Sequence, residues 1–261
     1  MSSRHEGIEV ALTAKMQQGG KCLVPYITGG FDGYLEAISA AADAGADAIE
    51  IGIPFSDPVM DGPTIQMAND VVLSKGITPA QILQDIASLD VDIPLAVMTY
   101  YNVVYRYGLE RFASSLKEVA ISGAILPDLP LREAKPWIDA TEKNSIETIL
   151  LAAPTTTDRQ LPEICENSSG FVYAVGLLGI TGAREELASS AQVIAKRCKE
   201  ITNKPVLVGV GIGNPRQAQE IAEIADGCIV GSAIVQKLLD GGGPESVGKF
   251  VSEFRTALDA I

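Results

Sequence analysis

Two acidic residues, Glu50 and Asp61, sit in settings where carboxylates do acid–base work. Glu50 stands in Ala48-Ile49-Glu50-Ile51-Gly52, a short β-branched run. Side chains alternate along a strand, so the two isoleucines share one face. Glu50 takes the other face, beside the small Ala48 and Gly52. A carboxyl group packed on that side is partly desolvated, which favours its neutral form and suits a proton donor near neutral pH. The bland alternative is an exposed strand end or a structural ion pair. Asp61 lies in Pro54-Phe55-Ser56-Asp57-Pro58-Val59-Met60-Asp61-Gly62-Pro63, ahead of a helix expected to begin near Thr64. Asp-Gly is a common turn pair, and an acidic residue before a proline-initiated helix often serves the helix terminus. The chemical reading draws on its loop, which leaves the strand carrying Glu50. Two carboxylates in unlike surroundings can divide acid and base duties.

Other groups limit what chemistry is open. The one histidine, His5, lies in the polar N-terminal stretch. Ser-His-Asp and Cys-His catalysis are therefore excluded, a catalytic zinc site is not expected, and acid–base work falls to other side chains. The four cysteines, Cys22, Cys165, Cys198 and Cys228, lack metal-type spacing and read as buried thiols of a reducing cytoplasm. Two glycine-rich segments suit an anion. Val208-Gly209-Val210-Gly211-Ile212-Gly213-Asn214-Pro215 runs into a helix with Asn214 as N-cap, and Val230-Gly231-Ser232-Ala233 runs into another. Both also read as plain tight turns. Glycines flanking the apolar residues in 176–184 suit a lid or an ordinary loop. Tyr26, Tyr100 and Tyr173 end three strands and suit either packing or an aromatic wall.

The elements that must position these groups follow from hydrophobic patterning. Near-continuous apolar runs occur at 23–28, 48–52, 95–99, 123–126, 148–152, 171–175, 205–210 and 227–230. Such runs are expected where both sheet faces are covered. Amphipathic stretches lie between them, as in Leu109, Phe112, Leu116, Val119 and in Ala218, Ile221, Ala222, Ala225. Gly or Asp-Gly recurs just before several of the runs. Strict alternation predicts a single α/β domain over 1–261, a (β/α)₈ TIM barrel with an extra leading helix near 8–17 and a closing helix near 246–261. A doubly wound open sheet is the alternative.

Composition agrees. The 261 residues are 47% hydrophobic, and no apolar run approaches a membrane span. Met1 to Gly7 carries no secretory-type apolar core. With 33 acidic against 20 basic side chains the net charge is −13, which argues against nucleic acid and anionic membranes as partners. An anionic substrate would need local backbone donors.

The long motif from Pro54 to Pro63, continued by Thr64-Ile65-Gln66 and preceded by Glu50-Ile51-Gly52, resembles the signature of the tryptophan synthase α subunit family. Pro25-Tyr26-Ile27-Thr28-Gly29-Gly30, Tyr100-Tyr101-Asn102, Pro127-Asp128-Leu129-Pro130, Gly179-Ile180-Thr181-Gly182, Gly211-Ile212 and Gly231-Ser232-Ala233-Ile234-Val235 extend the resemblance over nearly the whole chain. It implies retro-aldol cleavage of indole-3-glycerol phosphate to indole and glyceraldehyde 3-phosphate, with Glu50 as the acid–base residue and Asp61 on the indole N–H. It implies Tyr26, Ile65, Tyr100, Ile125 and Tyr173 around the indole, and Gly182, Val210, Gly211, Gly231 and Ser232 around the phosphate. Thr181 matches a lid residue that contacts the Asp61 loop. No metal or cofactor is implied in this chain; pyridoxal phosphate is expected only in a partner β subunit, in an αββα heterotetramer. Asp57 is the candidate interface residue. A stand-alone lyase, or an idle barrel that activates a partner, are the other readings. Two positions depart from the common pattern: Tyr26, where many members have phenylalanine, and Leu177, where many have an arginine.

Overall fold

The computed structural model describes residues 7–176, 184–209 and 211–261. His5, Leu177, Thr181, Gly182 and Val210 lie outside them. Eight strands, β1 (Cys22–Thr28), β2 (Ile49–Gly52), β3 (Leu95–Met98), β4 (Gly123–Ile125), β5 (Glu147–Ala152), β6 (Val172–Ala174), β7 (Val206–Val208) and β8 (Gly227–Val230), pair in parallel in chain order, and β8 closes on β1. The open-sheet alternative is thus excluded. Extra helices Ile8–Gln17 and Gly243–Leu258 flank the set, and the second begins slightly earlier than its pattern suggests because Pro244 occupies its first turn.

Alternation along the strands sorts the core into two shells. Leu23, Ile27, Ile49, Ile51, Leu95, Val97, Val172, Val206 and Cys228 face the surrounding helices. Val24, Tyr26, Ala48, Ala96, Ile125, Ile149, Tyr173, Leu207 and Ile229 face the barrel interior. Glu50 therefore points inward, between inward Ala48 and Gly52.

The Asp-Gly pair ahead of β8, and an aspartate ahead of β2, have a structural meaning. Asp47 donates its N–H to the Leu23 carbonyl and accepts the Leu23 N–H on Oδ2, at 2.9 and 2.8 Å. Asp226 does the same with Val206, at 3.0 and 2.9 Å. Each aspartate extends the backbone ladder by one side-chain rung at the barrel's N-terminal end.

That end is plugged by Ile8 and Leu12 of the leading helix, which join the interior shell. The helix has only Gly7 as N-cap, with no side-chain oxygen of its own. Glu147, at the start of β5, supplies one instead: its carboxylate accepts the N–H groups of Ile8 at 2.6 Å and Glu9 at 3.0 Å. A carboxylate on orphan N–H groups at a helix N-terminus is stabilising. Glu147→Ala should therefore lower unfolding free energy by about 1–2 kcal/mol, read from the urea midpoint. Glu147→Gln should lose less, and neither should change turnover, since the mouth lies at the other end.

Candidate active site

The C-terminal mouth of the barrel holds a cavity of about 300 Å³. Tyr26, Glu50, Asp61, Ile65, Ile125, Tyr173, Gly211, Gly231 and Ser232 all line it. Met60, Met98, Leu151, Val175 and Gly209 complete much of its apolar wall. Met98 and Leu151 follow from alternation on β3 and β5; they carry no polar atom to draw notice in the sequence.

Glu50 is buried to 1% exposure, and neither carboxylate oxygen has a hydrogen-bond partner among the described residues. Its ladder partners are Tyr26 on β1 and Ala96 on β3. Tyr26 leans across onto β2: a Cβ built on Gly52 would fall 1.9 Å from the tyrosine oxygen. Gly52 shares the inward face with Glu50, so the phenol ring roofs the carboxyl group from the mouth side. Burial first, and the nearby Asp61 second, push the Glu50 pKa up to about 8. At pH 7 this group is mostly a neutral acid. Its folded pKa lies above the unfolded one, so its contribution to stability is lost as pH rises from about 4.5 through about 8.

Asp61 is furnished differently. Tyr100 donates its hydroxyl to Oδ1 at 3.1 Å, and Asn69 donates its amide to Oδ2 at 3.0 Å. Tyr100 in turn accepts the Met60 N–H at 3.0 Å and stacks on Phe55, so one phenol organises the loop. Gln66 donates to the Asp61 carbonyl at 2.7 Å. Burial raises the Asp61 pKa, and the Tyr100 and Asn69 hydrogen bonds oppose that rise. Tyr100 thus stands behind Asp61, outside the cavity wall where it was expected. Asn69 was not expected at all. Asp57 is exposed on the same loop and accepts the Ser56 hydroxyl at 2.6 Å.

The other end of the cavity is made of backbone. Gly211 has φ 62°, and a Cβ there would meet nothing within 4 Å. Helix Ser232–Leu239 starts at the cavity, and Asn214 caps helix Pro215–Ala222 by accepting the Gln217 N–H at 3.0 Å. The first N–H groups of a helix have no intrahelical acceptor and favour an anion. No lysine or arginine lines the cavity among the described residues. Such a site can hold a phosphate group by backbone donors, an apolar ring between aromatic and aliphatic walls, and a proton donor and a carboxylate at that ring.

The family model for the tryptophan synthase alpha chain matches residues 12–256. A tryptophan synthase alpha chain from Streptomyces coelicolor is 42% identical, covering 92% of this chain and 90% of that protein. One from Methanosarcina barkeri is 46% identical over 79% of this chain and 78% of its own length. Among solved structures, the alpha subunit from Legionella pneumophila superposes with a TM-score of 0.87 at 31% identity, covering 100% of both chains. A ligand-free tryptophan synthase from M. tuberculosis gives 0.87 at 33% identity, with 96% of this chain and 98% of that chain covered.

The roof over Glu50 yields a pH test. In Gly52→Ala the new methyl must displace the Tyr26 ring, admitting water to the carboxyl group. Carbon-13 NMR of labelled glutamate, with the Glu50 signal identified by its loss in Glu50→Gln, should show titration near pH 8 in the wild-type protein. Gly52→Ala should titrate at least one unit lower. An unmoved signal would mean that the roof does not set the acidity.

Proposed function

The chain belongs to the tryptophan synthase alpha chain family, and from that premise we propose that Glu50 and Asp61 carry out its carbon–carbon cleavage. The reaction is the retro-aldol conversion of indole-3-glycerol phosphate to indole and glyceraldehyde 3-phosphate. The observation that carries the assignment is the contrast within one cavity: a buried Glu50 with no hydrogen-bond partner among the described residues, beside an Asp61 held by two donors. Neutral Glu50 gives its proton to the ring carbon that bears the glycerol chain. The ring nitrogen becomes positive, and the Asp61 carboxylate stabilises it through the N–H. The Glu50 carboxylate then takes the proton of the side-chain hydroxyl. As the new carbonyl forms, the carbon–carbon bond breaks and its electrons return to the ring, leaving indole and a re-protonated Glu50.

The phosphate is assigned to Gly211, Gly231 and Ser232, supported by the helix start at Ser232 and the lack of a lining cation among the described residues. Val210 and Gly182 join this assignment on the family resemblance alone, and on the same ground Thr181 is read as a lid residue that contacts the Asp61 loop. Tyr26, Ile65, Ile125 and Tyr173 take the indole, and Tyr100 acts on it through Asp61. The α subunits of this family do not themselves bind pyridoxal phosphate. A β subunit is the partner, and an αββα heterotetramer is the assembly we propose. Exposed Val59, Met67 and Tyr105 support a docking face at the mouth beside Asp57. No described helix is long and apolar enough to cross a membrane. Four free thiols suit the cytoplasm.

Glu50→Gln should abolish indole release while leaving the fold intact, and Asp61→Asn should reduce it by two orders of magnitude or more, roughly 3 kcal/mol of barrier. Activity within about tenfold of wild type in either variant would remove that residue from the mechanism.

The partner is tested separately. A cognate β subunit should raise the rate about tenfold or more, and Asp57→Ala should lose much of that gain at an unchanged basal rate. Equal turnover with and without the β subunit would favour the stand-alone lyase.

A further inference from the structure

Helix Pro63–Ser74 turns one stripe inward, with Ala68 and Val72 buried and Ile65 at the cavity wall. Asn69 lies on that stripe and is buried to 2% exposure. Helical spacing calls for an apolar residue there. An asparagine instead brings a polar amide out of water, which costs free energy unless both ends are paired. Only one end is. Nδ2 donates to Asp61 Oδ2 at 3.0 Å, while Oδ1 has no partner among the described residues. The amide is therefore not placed for the packing of the helix. Its one polar contact among the described residues is with Asp61.

Gln66, one turn earlier, holds the Asp61 backbone carbonyl at 2.7 Å. The same helix thus grips both the main chain and the side chain of a loop residue. We propose that Asn69 is a positioning residue, which keeps Asp61 an oriented carboxylate facing the cavity by donating to its Oδ2. This rests on the reading of Asp61 as the group that meets the ring nitrogen.

Burial makes the Asp61 charge harder to hold, and four titratable groups face it. They are Glu50 on β2, Tyr26 on β1, Tyr173 on β6 and Tyr100 after β3. None is a cation. Against burial, Asp61 has two donors, Tyr100 and Asn69. Hydrogen bonds to a charged form favour that form. Removing Asn69 should leave Asp61 easier to protonate, so the acidic limb of kcat/KM moves to higher pH.

The test uses the full chain with carbon-13-labelled aspartate, the Asp61 signal being identified by its loss in Asp61→Asn. Asn69→Ala should raise the Asp61 titration midpoint, and with it the acidic limb for indole release, by about one pH unit. Asn69→Asp, which keeps the shape and removes the donor, should raise both further and serves if the alanine variant folds poorly. An Asp61 midpoint unchanged in a folded variant overturns the proposal, whatever happens to turnover or to the urea midpoint. Full activity in Asp61→Asn would instead overturn the catalytic reading of Asp61, and the titration would still decide whether Asn69 orients it.

Discussion

Strands closed into a barrel give each side chain one of two destinations, and successive residues must alternate between them. Every other requirement in this molecule is met inside that rule. The helix-facing shell can be packed with isoleucine, valine and leucine. The inner shell has to fill a narrow cylinder and still leave a mouth, so Ala48, Ala96 and Gly52 take inward places around Glu50. The carboxyl group is dry because those small neighbours let the surrounding chains close in. Its acidity is a packing property, set by Tyr26 and the alanines with no charge partner other than a second carboxylate.

The two carboxylates separate because one has been denied hydrogen bonds and the other supplied with them. A chain of net charge −13 gives no general help in holding an anion. The solution is local twice over: Tyr100 and Asn69 at Asp61, and helix starts with backbone N–H groups at the far end of the cavity. Both use neutral dipoles. Neutral donors stabilise charge without raising the electrostatic cost of the empty site, and they leave Glu50 in its neutral form, which a lysine nearby would not.

What could be read from the residues alone follows the range of each interaction. The alternation of strands and helices, the inward turn of Glu50 and the Asn214 cap depend on neighbours within a few positions, and all three are legible as patterns. The helix grip on Asp61 is half legible: a polar residue on an apolar helical stripe is a visible anomaly, but its object eight residues back is not. The Glu147 cap on the leading helix joins residues 139 and 138 positions apart, and no local pattern announces it. Some strands are also shorter than their apolar runs. In β7 regular pairing covers Val206–Val208, since pairing stops where the chain turns toward the glycines. Tyr100 reads as a site residue, but its hold on Asp61 is not legible, because position at a strand end does not say which way a phenol leans.

The interlock of Tyr26 with Gly52 also constrains how this protein can change through descent. Exchanging the tyrosine for phenylalanine does not free position 52, because the ring carbon Cζ already lies 2.4 Å from where a Cβ would be. Any larger residue at 52 requires the aromatic at 26 to swing aside or shrink, and either leaves an open roof and a wetter Glu50. Tyr173 over Gly209, also at 2.4 Å, repeats the device across the barrel. Each glycine is thus held in place by its aromatic neighbour's usefulness, and the two members of a pair are heritable as a unit.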